Sequence, residues 1–388
     1  MLKNKNTILY LIYTFFSSIS FISPYTNLYL NEHFSFNISM IGIILMIYQA
    51  TKFIFEIPTG VIADKFGKKI SVIIGNILMI ISYSILLLNI KELVYISFFL
   101  KGLGYTFISG SFDAIFINSL GSKVLTKMNS ITRIFFFFGI GVSSGLGGLI
   151  IDILSYNMII ILDILILIVI FIISLIIKDD NIIINKKEKI LKKSINLILS
   201  KKVLILFLLL DLITAISFIN LEDFYSTFLS NNGIDIKIIG IIIFTQLILS
   251  SIIGAIIHNV FKKINKLKVY MIFSILHIIF PIVMYIQSNL LLVPILYILS
   301  QLSFALYAPV KYEIFQANIN NNVRSTILSI KSLFIAIGGI ISYFIVFLLG
   351  KYFTIEKITI ILLTITLLFY IVINIIIFKD IKNFYKND

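Results

Sequence analysis

The side chains best suited to chemistry in this 388-residue chain are a few charges set inside long apolar runs. An ionised group in hydrocarbon is costly, so it is paired or functional. Asp211 lies near mid-depth of the seventh apolar run, 202–229, with no obvious partner on its own helix. Such a carboxylate takes up and releases a proton as its surroundings alternate between wet and dry, or it faces a lysine or backbone carbonyls on a neighbouring helix. Glu222 and Asp223 follow about three helical turns on, and either join Asp211 in proton coupling or stand in solvent. Lys52 and Glu56 are four apart, the spacing that pairs charges on one helix face. Asp113 and Arg133 match Glu56 in depth, and Lys311, Glu313 and Lys331 sit at the same depth later in the chain. These six and Lys52 read first as two structural ion clusters lining the cytoplasmic side, with a direct proton role as the alternative.

Other chemistries lack their residues. Cysteine is absent, which removes disulfides, thiolate ligands and cysteine nucleophiles. Three scattered histidines (His33, His258, His277) make no metal cluster. With no phosphate-binding glycine loop and no nucleophile–base pair, neither an enzyme nor a cofactor is expected.

The elements that must position these charges are membrane helices. The chain is 59% hydrophobic and 13% charged, with mean hydropathy +1.08. A soluble protein of this composition would lack a polar surface to show water. Apolar runs of about 20 residues are long enough to span a bilayer. They predict twelve spans, near 8–30, 38–60, 69–89, 92–118, 128–150, 157–177, 202–229, 237–260, 267–287, 290–317, 325–349 and 355–378. The first is too long, and lacks the small-residue exit, for a cleaved signal peptide.

The net charge of +14 is a topology signal rather than a nucleic-acid footprint. With a cytoplasmic N-terminus, the cytoplasmic segments hold Lys65, Lys68, Lys69, Lys123, Lys127, the 178–202 run, Lys262, Lys263, Lys266, Lys268 and Arg324. The opposite loops hold only Lys91, Lys237, Lys351 and Lys357. This asymmetry places both termini in the cytoplasm, and the heavy use of Ile, Asn, Lys, Phe and Tyr gives the expectation of a bacterial source and so of a bacterial plasma membrane.

One long polar stretch interrupts the spans. Residues 179–201 read as a cytoplasmic linker with a surface-lying amphipathic helix, whose apolar side is Ile190, Leu191, Ile195, Leu197, Ile198 and Leu199. It separates an N-terminal six-helix bundle, 1–178, from a C-terminal one, 202–388. The halves are related. A constant offset of 198 matches Ile41-Gly42-Ile43-Ile44 to Ile239-Gly240-Ile241-Ile242, Asp113 to Lys311, and Arg133 to Lys331. An even number of spans per half gives both the same orientation, a parallel repeat about an axis along the membrane normal. The expected fold is thus all-α, with twelve transmembrane helices in two pseudo-symmetric bundles.

Between the second and third runs lies Gly60-Val-Ile-Ala-Asp64-Lys65-Phe66-Gly67-Lys68-Lys69. Here Gly60 is expected to pack closely on a neighbour, and Gly67 to take the positive φ of a tight reversal. This loop resembles the signature loop of the major facilitator superfamily, and the resemblance in span number, linker and repeat covers essentially the whole chain. Glu56-Ile-Pro58-Thr59, Gly102-Leu-Gly104-Tyr105 with Ser109-Gly110-Ser-Phe-Asp113, and Asn322-Val-Arg324-Ser-Thr326 look like its bacterial drug-exporter branch. The fifth run, Gly141-Val-Ser-Ser-Gly145-Leu-Gly147-Gly148, has the glycines of the exporters' antiporter motif without its proline.

The resemblance implies that Asp64 faces the start of the eleventh span, a latch formed by Gly60, Asp64, Gly67, Lys68 and Lys69 that biases the outward-open state. The bland alternative is an ordinary charged turn. It also implies a cavity from the first, fourth, seventh and tenth spans, with Tyr25, Asn27, Lys101, Tyr105, Phe218, Asn220, Tyr225, Gln301, Phe304 and Tyr307 as candidates. Most of these aromatics are expected simply to pack. The set suits a lipophilic small molecule better than a phosphate or sugar acid. The expectation is a monomeric secondary transporter in contact with membrane lipids, exporting such molecules in exchange for protons. Uptake or lipid movement on the same fold, or a non-transporting membrane sensor, are the alternatives.

Overall fold

A computed structural model describes residues 5–120, 122–177, 188–261, 265–287, 289–319 and 323–384. Its side-chain description excludes some helical positions, Asp113, Arg133 and Asn220 among them, so the readings of those three lie outside the described residues. All regular structure among the described residues is helical. The helices are α1 (Lys5–Ser18), α2 (Thr26–Glu32), α3 (Ile38–Phe66), α4 (Lys68–Leu86), α5 (Leu93–Leu120), α6 (Ser122–Ile153) and α7 (Tyr156–Ile176). They continue as α8 (Glu188–Ser200), α9 (Lys202–Asn231), α10 (Ile236–Phe261), α11 (Lys266–Ile286), α12 (Leu292–Ala317), α13 (Arg324–Leu349) and α14 (Ile355–Phe384). Among the described residues, 11 segments are long and apolar enough to cross a bilayer, and α5 adds a shorter apolar helix over Leu93–Ser109. Helices dominate because hydrocarbon offers no partner to a backbone N–H or C=O.

The 198-residue offset reappears in the helix starts. Ile38 and Ile236 open α3 and α10, and Lys68 and Lys266 open α4 and α11. Local chemistry sets these boundaries. The Asn37 side chain caps α3 by accepting from the Met40 N–H at 2.9 Å. Asn265 caps α11 in the same way through the Lys268 N–H at 3.2 Å.

Contacts group the chain into two units. The first comprises Met1–Ile184 and Ser226–Ile248, the second Asn185–Tyr225 and Leu249–Asp388. In the first, α5 packs on α3 and α4, α4 on α7, and α1 on α6 and α7. Small polar residues let these helices approach. Ser82 and Ser97 each donate to the other's backbone carbonyl at 2.8 Å, tying α4 to α5. In the second unit α11 packs on α12 and α14. The Ser300 hydroxyl donates to the His277 carbonyl at 2.8 Å, and Tyr270 donates to Asn374 at 2.9 Å.

Three expectations need correction. The first span is not one helix: α1 stops at Ser18, and a 3-10 turn over Ser23–Tyr25 leads into α2. The charged reversal is shorter than the sequence implied. Asp64 and Lys65 lie in the last turn of α3, and Gly67 alone makes the turn, at φ 104°. That conformation disfavours any side chain, so this part of the expectation holds. Gly60 packs on nothing: a Cβ there would meet no atom within 4 Å. The linker helix is present as α8 and packs on α13. It buries Ser194 and Ile198 but leaves Ile195 and Leu199 exposed, so only part of the predicted apolar side is covered.

Candidate functional site

The first unit holds a half-open cavity of about 390 Å³. Helix α1 contributes Tyr10, Tyr13 and Ser17 to its wall, α4 Asn76 and Tyr83, and α5 Tyr105 and Ser109. The rings are fixed before any ligand arrives. Tyr13 stacks on Phe112 with centroids 3.8 Å apart and donates to Asn76 Oδ1 at 3.3 Å. Lys52 stands over the Tyr105 ring at 4.3 Å and over Tyr48 at 4.9 Å. Lys101 stands over Tyr83, Phe98 and Tyr48, at 5.1, 5.6 and 5.9 Å. Cation–π attraction of this kind favours a lysine ammonium in apolar surroundings. Glu56 accepts from Ser109 at 3.5 Å, and Lys52 acts on it electrostatically from one turn away.

The same cavity is lined by Asp163 of α7, which the sequence reading passed over. Asp163 is 3% exposed. Its Oδ1 accepts from the Phe21 N–H at 2.7 Å, and its Oδ2 from the Ile22 N–H and the Ser20 hydroxyl, both at 3.1 Å. These donors belong to the break between α1 and the 3-10 turn. The Ser20 N–H is taken by Ser143 Oγ of α6 at 3.3 Å, the Ile19 N–H by the Phe16 carbonyl at 3.1 Å. Pro24 has no N–H to satisfy. The backbone donors released at 19–22 are therefore all accounted for, which is what lets a helix break inside a membrane span. Helix α6 meets this segment with Gly147, where an added Cβ would lie 2.9 Å from the Phe21 carbonyl oxygen. The signal available in the sequence was a single carboxylate within 157–177 and the run Ser17-Ser18-Ile-Ser20-Phe-Ile-Ser23-Pro24.

In the second unit Asp211 is not alone. Lys311 of α12 lies 2.7 Å from its Oδ1, and Lys331 of α13 lies 3.6 Å from its Oδ2. Tyr370 of α14 joins Lys311 at 3.5 Å and Thr214 at 3.0 Å. Lys331 also lies over the Phe315 and Tyr312 rings, at 5.5 and 5.9 Å. The cluster thus ties four helices together. The reading of Asp211 as unpaired gives way to its alternative, a carboxylate facing lysine. No lysine on α9 itself could have shown this, because both partners arrive from other helices. Glu313 pairs with Lys266 at 2.7 Å, nearer the end of α12. Asp223 accepts from the Tyr343 hydroxyl, whereas Glu222 is exposed.

The remaining cavity candidates are placed mostly by packing. Tyr25 donates to the Ser144 carbonyl at 2.6 Å and covers Gly148 and Gly240. Phe218 stacks on His277 at 4.0 Å and Tyr225 on Tyr297 at 3.6 Å. Tyr307 is buried among Tyr270, His277 and Phe304. Asn27 and Gln301 are buried, and Phe304 is partly exposed. In the turn region, Asp64 is exposed, and Lys69 donates to the Leu175 carbonyl at 2.6 Å.

Many apolar spanning helices, a start-to-start repeat and charges set in apolar walls define a class: a multi-pass membrane protein with a transporter's architecture. The chain belongs to the Major Facilitator Superfamily, whose sequence pattern matches residues 7–343. It is similar to YxaM of Bacillus subtilis (strain 168), an uncharacterized MFS-type transporter, at 24% identity over 246 residues. That match covers 60% of this chain and spans 61% of the relative's length. In fold it is similar to the nucleoside transporter NupG, at TM-score 0.76 and 14% identity over 95% of this chain and 98% of that one. The D-xylose-proton symporter matches at TM-score 0.75 and 12% identity, over 94% and 96%. A POT family transporter in complex with 5-aminolevulinic acid matches at 0.70 and 13%, over 95% and 94%. At these identities the likeness establishes the fold alone.

Proposed function

We propose that this chain is a monomeric secondary active transporter that exports lipophilic small molecules in exchange for protons, by alternating access in a bacterial plasma membrane with both termini cytoplasmic. The observation that carries the reading is the cavity of about 390 Å³ in the first unit. Its tyrosines offer flat apolar faces, and Ser17, Asn76 and Ser109 add a few polar atoms. That is the composition of a small-molecule pocket, whereas a phosphate site would converge several cations. The resemblance of Glu56-Ile-Pro58-Thr59 and of the α5 glycines to drug exporters supports the outward direction.

Proton coupling rests on the carboxylates. Asp211 between Lys311 and Lys331 has two cations competing for one anion. Neutralising Asp211 would free both lysines and loosen four helices, so proton binding there is linked to a change in bundle packing. Asp223, held by Tyr343, and Glu222 are the further candidates on the same helix. Asp64, Gly67, Lys68 and Lys69 act as the latch, with the Asp64 carboxylate drawn to a helix N-terminus in the closed state. A second reading, uptake of a polar ring compound, draws on the names of the nucleoside transporter and the D-xylose-proton symporter and on the hydroxyl and amide groups in the same cavity wall.

The test is a panel of lipophilic drugs, nucleosides and sugars on inverted vesicles, with and without an imposed proton gradient. Gradient-dependent accumulation of a lipophilic compound supports export. Movement of nucleosides or sugars alone replaces it with the second reading.

A further inference from the structure

The break in the first span and the carboxylate that holds it are more than a way of satisfying backbone donors. We propose that Asp163 is a proton-binding residue of this protein, and that the segment 19–22 is the element that responds to its protonation. The proposal rests on the transport reading only for its role in a cycle; the switch itself stands on local geometry.

The first observation is access. Asp163 and Ser20 both line the cavity, so a proton carried by water in the cavity reaches the carboxylate. The second is the division of labour between the oxygens. Oδ1 serves Phe21, and Oδ2 serves both Ile22 and Ser20. A proton added to Oδ2 makes it a donor, which the Ser20 hydroxyl can rotate to accept, and leaves it a weaker acceptor for the Ile22 N–H. A proton on Oδ1 takes the lone pair that Phe21 does not use. Either site removes the negative charge and turns the charge-assisted bonds from Phe21 and Ile22 into weaker neutral ones in a buried place, a loss that favours rearrangement of the segment.

The third observation is that the segment is free to rearrange. Residues 19–22 lie between two helical pieces, and their only backbone rungs among the described residues are at the two ends, Ile19 N–H to the Phe16 carbonyl at 3.1 Å and Tyr25 N–H to the Ile22 carbonyl at 2.9 Å. Gly147 brings α6 close behind the Phe21 carbonyl with no side chain between them, so the room for a shift lies on the other side, where Ile19 and Ser20 line the cavity. A fixed structural staple needs neither a cavity at the carboxylate nor a glycine behind the segment.

The groups that face Asp163 set the electrostatics. Lys101 on α5 is a cation that acts on it through space. Phenols at the cavity come from α1 (Tyr10, Tyr13), α4 (Tyr83) and α5 (Tyr105). Helix α6 offers the Ser143 hydroxyl, while its Asp152 is engaged by Lys237 at 3.6 Å.

The experiment uses the full chain in lipid nanodiscs. Hydrogen–deuterium exchange of peptides covering 19–22 is followed across a pH series and corrected for the intrinsic exchange rate. Infrared difference spectra between acid and neutral pH report protonated carboxyl groups. The wild type should show about tenfold faster exchange at Phe21 and Ile22 on the acid side of one protonation step, the loss of roughly one buried hydrogen bond. Asp163→Asn should remove one carboxyl band and make exchange at 19–22 independent of pH. If that variant fails to fold, the wild-type pH series still decides. Corrected exchange that does not change with pH in the wild type overturns the proposal and leaves Asp163 a structural staple. In proteoliposomes, transport by Asp163→Asn should lose its response to an imposed proton gradient; an unaltered response also overturns it. If no compound moves but the exchange and infrared responses are present, the transport reading fails and the proton switch stands.

Discussion

Replacing Lys311 by methionine removes the closer of the two ammonium groups on Asp211 while keeping most of the side-chain volume. The pair is 2.7 Å apart, with the side chains 11% and 12% exposed. Stranding one partner of a buried ion pair costs about 3–5 kcal/mol. Here Lys331 remains 3.6 Å from the other carboxylate oxygen, and at 24% exposure it is partly free to move closer. That second cation offsets part of the loss, so the net cost should be about 2–3 kcal/mol. Lys331→Met should cost about 1 kcal/mol, because the weaker, more exposed contact is lost and the stronger one kept. Changing Lys311 to Met and Asp211 to Asn together removes both charges, and should cost less than the Lys311 change alone. The assay is the fraction of monodisperse protein left after heating in detergent, read by size-exclusion chromatography over a temperature series. The expected order of stability is wild type, Lys331→Met, then the double variant above Lys311→Met. A double variant less stable than Lys311→Met, or a Lys331 variant less stable than the Lys311 one, would refute the reasoning, since neither fits a carboxylate held mainly by Lys311.

Other consequences can be checked separately. Asp64→Asn should insert and fold as the wild type does but slow transport severalfold, for a helix-terminus contact of about 1–2 kcal/mol in a partly buried setting; wild-type rates from well-folded protein would remove the latch. Gly67→Ala should lower thermal stability by about 1–3 kcal/mol, because φ 104° with ψ 140° suits only glycine, and an unchanged melting curve would contradict that assignment. Gly147→Leu should cut folded yield sharply, since the side chain must displace the Phe21 carbonyl; a normal yield would show that the segment at 19–22 yields easily to α6. The chain has no cysteine, so single introduced thiols report topology directly. Lys193→Cys should react with a membrane-impermeant thiol reagent only from the cytoplasmic side, and Lys91→Cys only from outside; the reverse pattern would invert the proposed orientation.

Much of this architecture was legible in the sequence because each span carries its own signal. Apolar length predicts α3 or α7 without knowledge of any neighbour. The repeat was readable for the same reason, and its offset of 198 returns in the starts of α3 and α10 and of α4 and α11. Gly67 was legible because only one residue type suits its φ. The site was less so. Lys311 and Lys331 were recognised as rare charges, but their convergence on Asp211 depends on how α12 and α13 rotate against α9, which no local pattern encodes. The first span read as one helix because apolar composition persists across its break. The run ending in Ser23-Pro24 was its local signal, and what holds the break is a carboxylate more than 140 residues away, Asp163 accepting from Phe21 and Ile22. Gly60 failed in the opposite sense: a glycine in a recognisable motif position was expected to pack, and the space beside it is open.

The central claim is that a proton gradient drives a small molecule through this fold. The most direct measurement is net movement of a compound panel into inverted membrane vesicles carrying the protein, before and after the gradient is collapsed with a protonophore. The account predicts saturable accumulation of at least one lipophilic compound that disappears with the gradient and is strongly reduced in Asp211→Asn. Correctly inserted, folded protein that moves no compound under either condition would contradict it.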